Sequence, residues 1–364
     1  MARLIVHGRA PYNAEPPLAR LRAAFRTAAE DFYVRSHGDL PAIDAAAYRL
    51  RVAGGGAPLA LSLDDLRARF PVVTVTATLQ CAGNRRGDLR AVAPVTGDPW
   101  EAGAIGTADW TGVRLADVLR AAGAGEGGVN RDGSRDGSPD DRHVAFESRD
   151  TVHETGRPYG VSIPLAKALA PETVLAWAMN GAPLLPEHGF PLRAVVPGYA
   201  GVRSPKWLDA VTVQDRPSDN PIQAADYRLY PADVDPEGAA PALGLIIDGM
   251  PLNSAICEPA RGAVLRPGPA RLRGYAVCGD RPVARVDVSG DGGRSWVQAR
   301  LEAGAPHAWT FWSADLDLPA GACELAVRAW DAAGQTQPAS PEAVWNRKGY
   351  LNTAWHRVAV RVEA

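Results

Sequence analysis

The hydrophobic rhythm of the chain changes once. In the first two thirds, apolar runs alternate with helix-like spacings and turn clusters. Residues 72–79 (Val72-Val73-Thr74-Val75-Thr76-Ala77-Thr78-Leu79) form an almost unbroken β-branched run, which predicts a buried strand. The run stops at Ala82-Gly83-Asn84, a tight turn by composition. Residues 48–52 and 143–146 predict further strands. Ser62, with Asp65 three positions on, predicts a capped helix start. Helical spacing of Ala, Leu and Arg predicts a helix over 17–32 within a polar N-terminal stretch, and a second helix over 111–122. Ser162 opens a helix-like segment with Pro164 early, where proline is tolerated. Met179-Asn180-Gly181 reads as a hairpin turn.

Past residue 231 the pattern shifts. Residues 231–241 are a linker by composition, rich in Pro, Asp, Glu, Gly and Ala without periodicity. Short alternating runs then recur at 270–278, 283–289, 296–301, 308–313 and 324–331. Asp291-Gly292-Gly293 and Ala333-Gly334-Gln335 supply turns between them. Regular short strands with such punctuation predict a β-sandwich. Residues 123–142, crowded with Gly, Asp and Ser, predict a mobile surface loop. Their Asp-x-Ser repeats lack the ligand spacing and terminal Glu of a calcium-binding EF-hand.

Composition narrows the classes. A length of 364 residues predicts two domains, drawn at 1–235 and 236–364. Apolar content of 46% with 22% charged residues describes an ordinary globular protein, and a formal net charge of -2 gives no basic surface for nucleic acid. No apolar run is long enough to span a bilayer, and the first residues carry no signal-peptide core. The four cysteines, at 81, 257, 278 and 323, show neither CxxC nor a Cys/His zinc spacing. Reduced thiols predict a cytoplasmic protein, or a periplasmic one if an export leader has been removed.

The chemistry concentrates where the 72–79 strand ends. Cys81 sits at the strand-to-loop junction, and Arg85 and Arg86 follow at once. Nearby positive charge favours a thiolate, the form that binds metal. An Arg-Arg pair at a strand end also suits an oxyanion better than a core.

Leu79-Gln80-Cys81-Ala82-Gly83-Asn84-Arg85-Arg86 resembles the signature of the sulfite oxidase family of molybdenum enzymes. That resemblance implies an α+β fold: a mixed α/β molybdopterin-binding domain followed by an immunoglobulin-like β-sandwich that dimerises. It makes Cys81 the protein ligand of a molybdenum held by a pyranopterin dithiolene, a soft metal that a thiolate suits. Phe32-Tyr33-Val34-Arg35-Ser36-His37, with Pro41 beyond, is similar to the family's Phe-x-Arg-Asn-His-x-x-x-Pro. The likeness implies that Arg35 faces substrate while Tyr33 and His37 lie by the pterin; Ser36 replaces the usual Asn. Trp100, nineteen residues after the cysteine, is implied to wall the anion pocket. The stretch 186–208 resembles the family's pterin-binding region, implying cofactor contacts for Asp150, His188, Arg193, Ser204 and Lys206. Gln223-Ala224-Ala225-Asp226-Tyr227 matches Gln-x-x-Asp-Tyr, which implies a pocket place for Asp226 and a Tyr227 hydroxyl aimed at the metal's oxo group and the substrate. Trp345-Asn346-Arg347-Lys348-Gly349 resembles Trp-Asn-x-Arg-Gly, with Lys348 where the family's pocket arginine stands. A one-residue shift would give that role to Arg347.

The activity so implied is molybdenum-dependent oxidation of sulfite to sulfate, with Arg35 and Arg86 gripping the anion. Rivals are a nitrate reductase-like or sulfur-compound dehydrogenase on the same scaffold, or a non-catalytic binding protein that kept the fold. The last would not need an intact Cys81 and Arg86. A homodimer is expected. No CxxCH occurs, so no haem is expected in this chain, and electrons would pass to oxygen or to a separate acceptor protein.

Overall fold

The β-branched run folds as its pattern predicts. In the computed structural model, which describes residues 4–124, 141–302 and 304–363, Val72–Gln80 is a strand paired along its length with antiparallel Ile105–Arg114. Val174–Met179, Ala182–Pro183 and Arg193–Val195 complete this five-stranded sheet. A second five-stranded sheet runs Leu59–Leu61, Leu50–Ala53, Leu208–Gln214, His143–Thr151, Pro158–Pro164. Leu50, Val52, Phe146, Val161 and Val211 from this sheet meet Val113, Leu175 and Ala194 from the first in one core. The capped helix is present as Leu63–Arg69. The Asp65 N–H donates to Ser62 Oγ at 3.0 Å, and the Ser62 N–H donates to Asp65 Oδ2 at 2.9 Å. At the hairpin, Asn180 and Gly181 take φ of 50° and 79°, the double left-handed turn that matches strand twist.

Several local expectations give way to tertiary pairing. The polar N-terminus forms a hairpin, Ile5–Arg9 with Tyr12–Glu15, where no strand is predicted. The helix over 17–32 shrinks to Leu18–Ala23, with a single 3-10 turn at Ala29–Asp31. The chain turns extended at Ala24, and Phe25 leaves to pack edge-on against Phe311 at 5.5 Å. The second helix starts only at Leu115, because residues 111–114 are held as strand by partners on both sides. Ser162 likewise lies within the strand Pro158–Pro164, and the short helix Leu165–Ala168 begins after that strand. Most of the predicted mobile loop over 123–142 lies outside the described residues.

The later residues form the expected sandwich. Asn253–Glu258, Gly268–Val277, Thr310–Leu318 and Arg300–Glu302 make one sheet. Val264–Leu265, His356–Val362, Gly321–Asp331, Val283–Ser289 and Val297–Gln298 make the other. Ile256, Leu272, Trp312 and Leu316 from the first face Val286, Val288, Leu325, Val327 and Val358 from the second.

An apolar seam joins the sandwich to the earlier sheets. Leu21, Ala102 and Ile105 pack with Cys257, Tyr275, Trp309 and Phe311. Each buried ring removes about 150–250 Å² from water, an upper limit of roughly 4–6 kcal/mol per ring. Attachment is therefore hydrophobic, while orientation comes from Arg85. This buried residue takes φ 64° and inserts its guanidinium into the sandwich. Nη1 donates to Asn253 Oδ1 at 3.0 Å and the Ala354 carbonyl at 2.6 Å; Nη2 donates to the Trp355 carbonyl at 3.1 Å. Asn352 Nδ2 returns a bond to the Arg85 carbonyl at 2.9 Å.

Replacing Arg85→Ala strands those acceptors in a buried seam. We expect a loss of about 2–4 kcal/mol in urea unfolding, and Arg85→Lys should recover less than half of it for want of a planar fork. A loss below about 0.5 kcal/mol would show that Arg85 fastens nothing.

Candidate functional site

Two cavities meet at Arg35 and His37, which line both. The inner one is walled by Tyr33, Cys81, Asp150, His188, Arg193, Ser204, Lys206 and Tyr227. The outer one, about 570 Å³, is walled by Asn13, Arg86, Asp98, Asp226, Lys348 and Tyr350. Residues predicted from six separate stretches thus converge.

Cys81 is placed by the end of Val72–Gln80. Its N–H donates to the Ala104 carbonyl at 2.9 Å, and the loop closes through Asn84 N–H to the Cys81 carbonyl at 3.0 Å. The Gly83 N–H points at Sγ from 3.4 Å. The two arginines were expected to favour the thiolate. Instead burial pushes the Cys81 thiol up, outweighing Arg86, Arg35 and the Gly83 N–H, which pull it down. A bound metal cation would supply the missing charge.

Arg86 is cradled by glycines. A Cβ on Gly83 would come within 2.6 Å of its Nη2, and one on Gly349 within 2.6 Å of its Cγ. Nε donates to the Lys348 carbonyl at 3.0 Å and Nη1 to the Asp98 carbonyl at 3.1 Å, with Tyr350 beneath at 5.2 Å. Lys348 Nζ reaches the same cavity and pairs with Asp226 Oδ1 at 2.9 Å. Arg347 turns outward, its side chain 48% exposed, towards Asp235. Trp100 differs from expectation. It is fully buried, stacked edge-on with His7 at 4.8 Å, and lines neither cavity. Its carbonyl holds the Gly87 N–H at 2.9 Å, so it supports the cysteine loop from behind.

The inner cavity buries positive charge with little to balance it. Arg193 donates to the His188 and Ser204 carbonyls, both at 3.0 Å, and stacks over Trp110 at 4.9 Å. Burial lowers it to about 10. Arg193 opens the strand Arg193–Val195, paired with Val174–Met179. Lys206 Nζ donates to Ser36 Oγ at 2.8 Å and the Glu187 carbonyl at 2.9 Å; burial, then Arg193, push it down. Ser36, standing where the family has Asn, thus meets a lysine. Ser204 Oγ accepts from the Val196 N–H at 3.0 Å. His188 bonds the Ala29 carbonyl at 2.7 Å. The carboxyl of Asp150 is raised by desolvation, and its Oδ1 has no partner among the described residues. Buried cations resting on neutral carbonyls suit a phosphate; an orphaned carboxyl oxygen suits the N–H edge of a heterocycle. A thiol stands beside them for a soft metal. The donor set fits an anionic pterin carrying molybdenum.

Sequence reasoning missed Asn13 and Tyr350 at this site and gave Gln223 no role beyond its place in the motif. Asn13 accepts from the Ser36 N–H at 2.8 Å and from Arg35 Nη1 at 3.4 Å. Gln223 accepts from the Ser162 N–H at 2.5 Å and Arg203 Nη1 at 2.6 Å, fixing the π-helical turn Ile222–Asp226 just before Tyr227. Tyr350 stacks on Tyr227 with centroids 5.1 Å apart. No sequence signal points to Asn13, because neither its hairpin strand nor its burial is legible in the polar N-terminal pattern.

Residues 37–222 match the oxidoreductase molybdopterin binding domain family, and residues 245–363 the Mo-co oxidoreductase dimerisation domain family. The chain is 44% identical to the sulfite oxidase of Gallus gallus, over 97% of this chain and 77% of that protein. It is 38% identical to the sulfite oxidase of Arabidopsis thaliana, over 99% and 94%. The solved sulfane dehydrogenase SoxCD of Paracoccus pantotrophus superposes with a TM-score of 0.81 at 26% identity, covering 99% of this chain and 89% of that one.

The buried histidine gives the site an acid sensitivity. Burial holds His188 down at about 3, well under its ordinary value of 6.5. The unfolded chain takes up the proton that the fold refuses, so stability falls as pH drops from about 6.5 towards 3. Comparing urea unfolding at pH 5 and 6, His188→Gln should flatten the slope by about 1 kcal/mol per pH unit. An unchanged slope would mean that His188 titrates normally.

Proposed function

The chain belongs to the sulfite oxidase family of molybdopterin oxidoreductases, and we propose on that premise that it oxidises sulfite to sulfate. The observation that carries the proposal is the meeting of Arg35, Arg86 and Lys348 with Cys81 and Tyr227 across two adjoining cavities. Tyr33, Asp150, His188, Arg193, Ser204 and Lys206 would hold the pterin, and Cys81 would hold its molybdenum; His37, with both ring nitrogens taken by Arg35 and Tyr227, would border the pterin without bonding it. Bound there, the cofactor supplies oxygen-atom transfer and takes up two electrons. The protein does the rest.

Sulfite is small, anionic and strongly hydrated, so its water must be replaced by fixed donors. Arg86 is locked by glycines and two carbonyl bonds, so it meets the anion without reorganising. Arg35 borders both cavities and can grip the same anion from the inner side. Lys348 offers a mobile point charge, tethered by Asp226 until an anion competes. Tyr227 offers a hydroxyl at the inner cavity. Overall, sulfite and water give sulfate, two electrons and two protons, and oxygen or a separate protein takes the electrons. The Mo-co dimerisation match supports a homodimer.

The likeness to sulfane dehydrogenase makes a sulfur-compound dehydrogenase the second reading. Elemental analysis for molybdenum, joined to parallel assays on sulfite, sulfane sulfur and nitrate, tests the assignment. Turnover of sulfite by the molybdenum-loaded protein is expected. Loaded protein that ignores sulfite would reject the reading.

Cys81→Ala should abolish sulfite turnover with an unchanged circular dichroism spectrum, since the thiol sits on a cavity wall. More than a few per cent of residual activity with normal molybdenum would remove the ligand assignment. Lys348→Ala should raise the sulfite KM about tenfold through loss of one charge-assisted bond, while Arg347→Ala leaves it within about twofold. The reverse pattern would move the pocket cation to Arg347.

A further inference from the structure

Arginine can only donate, and that one-sidedness propagates through the site. Arg35 Nη2 faces His37 Nδ1 at 3.2 Å. A guanidinium keeps its charge and offers no acceptor, so Nδ1 must carry its lone pair and no hydrogen. Burial, reinforced by Arg35 and Lys206, drives the imidazole well below its ordinary value, which keeps the ring neutral. A neutral ring with bare Nδ1 holds its hydrogen on Nε2. That nitrogen lies 2.9 Å from the Tyr227 hydroxyl.

The hydroxyl oxygen therefore accepts from His37, and its own hydrogen must point elsewhere. Tyr227 cannot swing aside to find another partner. Its ring is stacked on Tyr350 at 5.1 Å, and its backbone leaves the π-helical turn that Gln223 pins. Among the described residues His37 is the hydroxyl's hydrogen-bond partner, and the side chain lines the inner cavity.

We propose that His37 is a positioning residue: clamped as the Nε2–H tautomer by Arg35, it donates to the Tyr227 hydroxyl and so aims the Tyr227 hydrogen into the cavity. Tyr227 then presents its hydrogen to a ligand, which favours an oxygen with a free lone pair over a group with only hydrogens to offer. The tautomer stands on the hydrogen bonds alone; its use on sulfite rests on the function proposed above. Arg35 thereby acts twice, as a cation beside the substrate and as the group that sets a proton's direction two residues away.

The test reads the ring nitrogens of the whole 364-residue chain as purified, labelled with 15N in histidine and with its molybdenum content measured. The His37 signals are those lost in His37→Leu, or in His37→Gln should the leucine variant not fold. A pyrrole-type Nε2 with a pyridine-type Nδ1 is expected. The reversed pattern, or an imidazolium with two pyrrole-type nitrogens, overturns the proposal. This readout needs no turnover. A double-mutant cycle on sulfite kinetics, normalised to molybdenum, adds the functional arm. His37→Leu should lower kcat/KM about tenfold in the otherwise native protein and less than about twofold in the Tyr227→Phe background. Equal losses in both backgrounds would mean that His37 acts on the cofactor or the fold, and would overturn its role through Tyr227. Absence of sulfite turnover in the unaltered protein would count against the sulfite reading alone, and the ring-nitrogen signals would still decide the tautomer.

Discussion

The constraint on which the rest depends is positive charge buried without its counter-charge. Taking an ion out of water costs several kcal/mol even after relaxation. Around its two adjoining cavities this site buries Arg86 and Arg193 and half-buries Arg35 and Lys206, with Asp150 the buried carboxylate among them. The fold meets that cost piecemeal, by turning backbone carbonyls towards the cations. His188, Ser204, Glu187, Lys348 and Asp98 each give one. Carbonyls satisfy hydrogen bonds but not net charge. The remainder is an electrostatic demand that only an anion can meet, which is why the same residues can hold a phosphate-bearing cofactor and an oxyanion substrate. A ligand meeting it stabilises the fold by mass action as well.

How much of this the sequence disclosed depends on the range of the interaction. The strand Val72–Gln80, the capping box at Ser62 and the turn at Asn180-Gly181 rest on contacts within a few residues, and each is legible in the pattern. The helix expected over 111–122 was half wrong because residues 111–114 obey two neighbouring strands rather than their own spacing. The N-terminal hairpin was invisible for a related reason. Its buried polar residues, Asn13 and Glu15, serve distant partners: Asn13 holds Ser36 and Arg35, and Glu15 holds the N–H groups of Glu101 and Gly103. A polarity pattern reads such residues as exposed. They are among the least exposed in the chain.

The chemical motifs were legible as types and positions, less so as roles. Cys81, Arg35, Arg86, Asp226 and Tyr227 are where a resemblance could put them, around adjoining cavities. Trp100 shows the limit of spacing alone. Nineteen residues after the cysteine, it supports the loop from behind and does not reach either cavity. Arg85 makes the complementary point. It looked like half of an anion-binding pair, yet its guanidinium is spent on the Asn253 side chain and the carbonyls of Ala354 and Trp355. Adjacent arginines diverge because Arg85 takes a left-handed backbone turn that sends the two side chains to different elements.

That divergence couples the two halves of the chain through the site. Arg85 carries the cysteine loop into the sandwich, and Asn352 holds the Arg85 carbonyl in return. One residue later, Arg86 faces the cavity and takes the Lys348 carbonyl, which belongs to the segment leading into the last sandwich strand. The Lys348 side chain then reaches back to Asp226, next to Tyr227. A closed circuit results, running from the Cys81 loop through the sandwich to Tyr227. Displacing the sandwich by an ångström would shift Lys348, loosen Arg86 and leave Asp226 without its cation. Positioning errors of that size matter for chemistry that depends on fixed donors. The sandwich is therefore part of the pocket, and whatever steadies it, including a second copy of the chain, also steadies the grip on the anion.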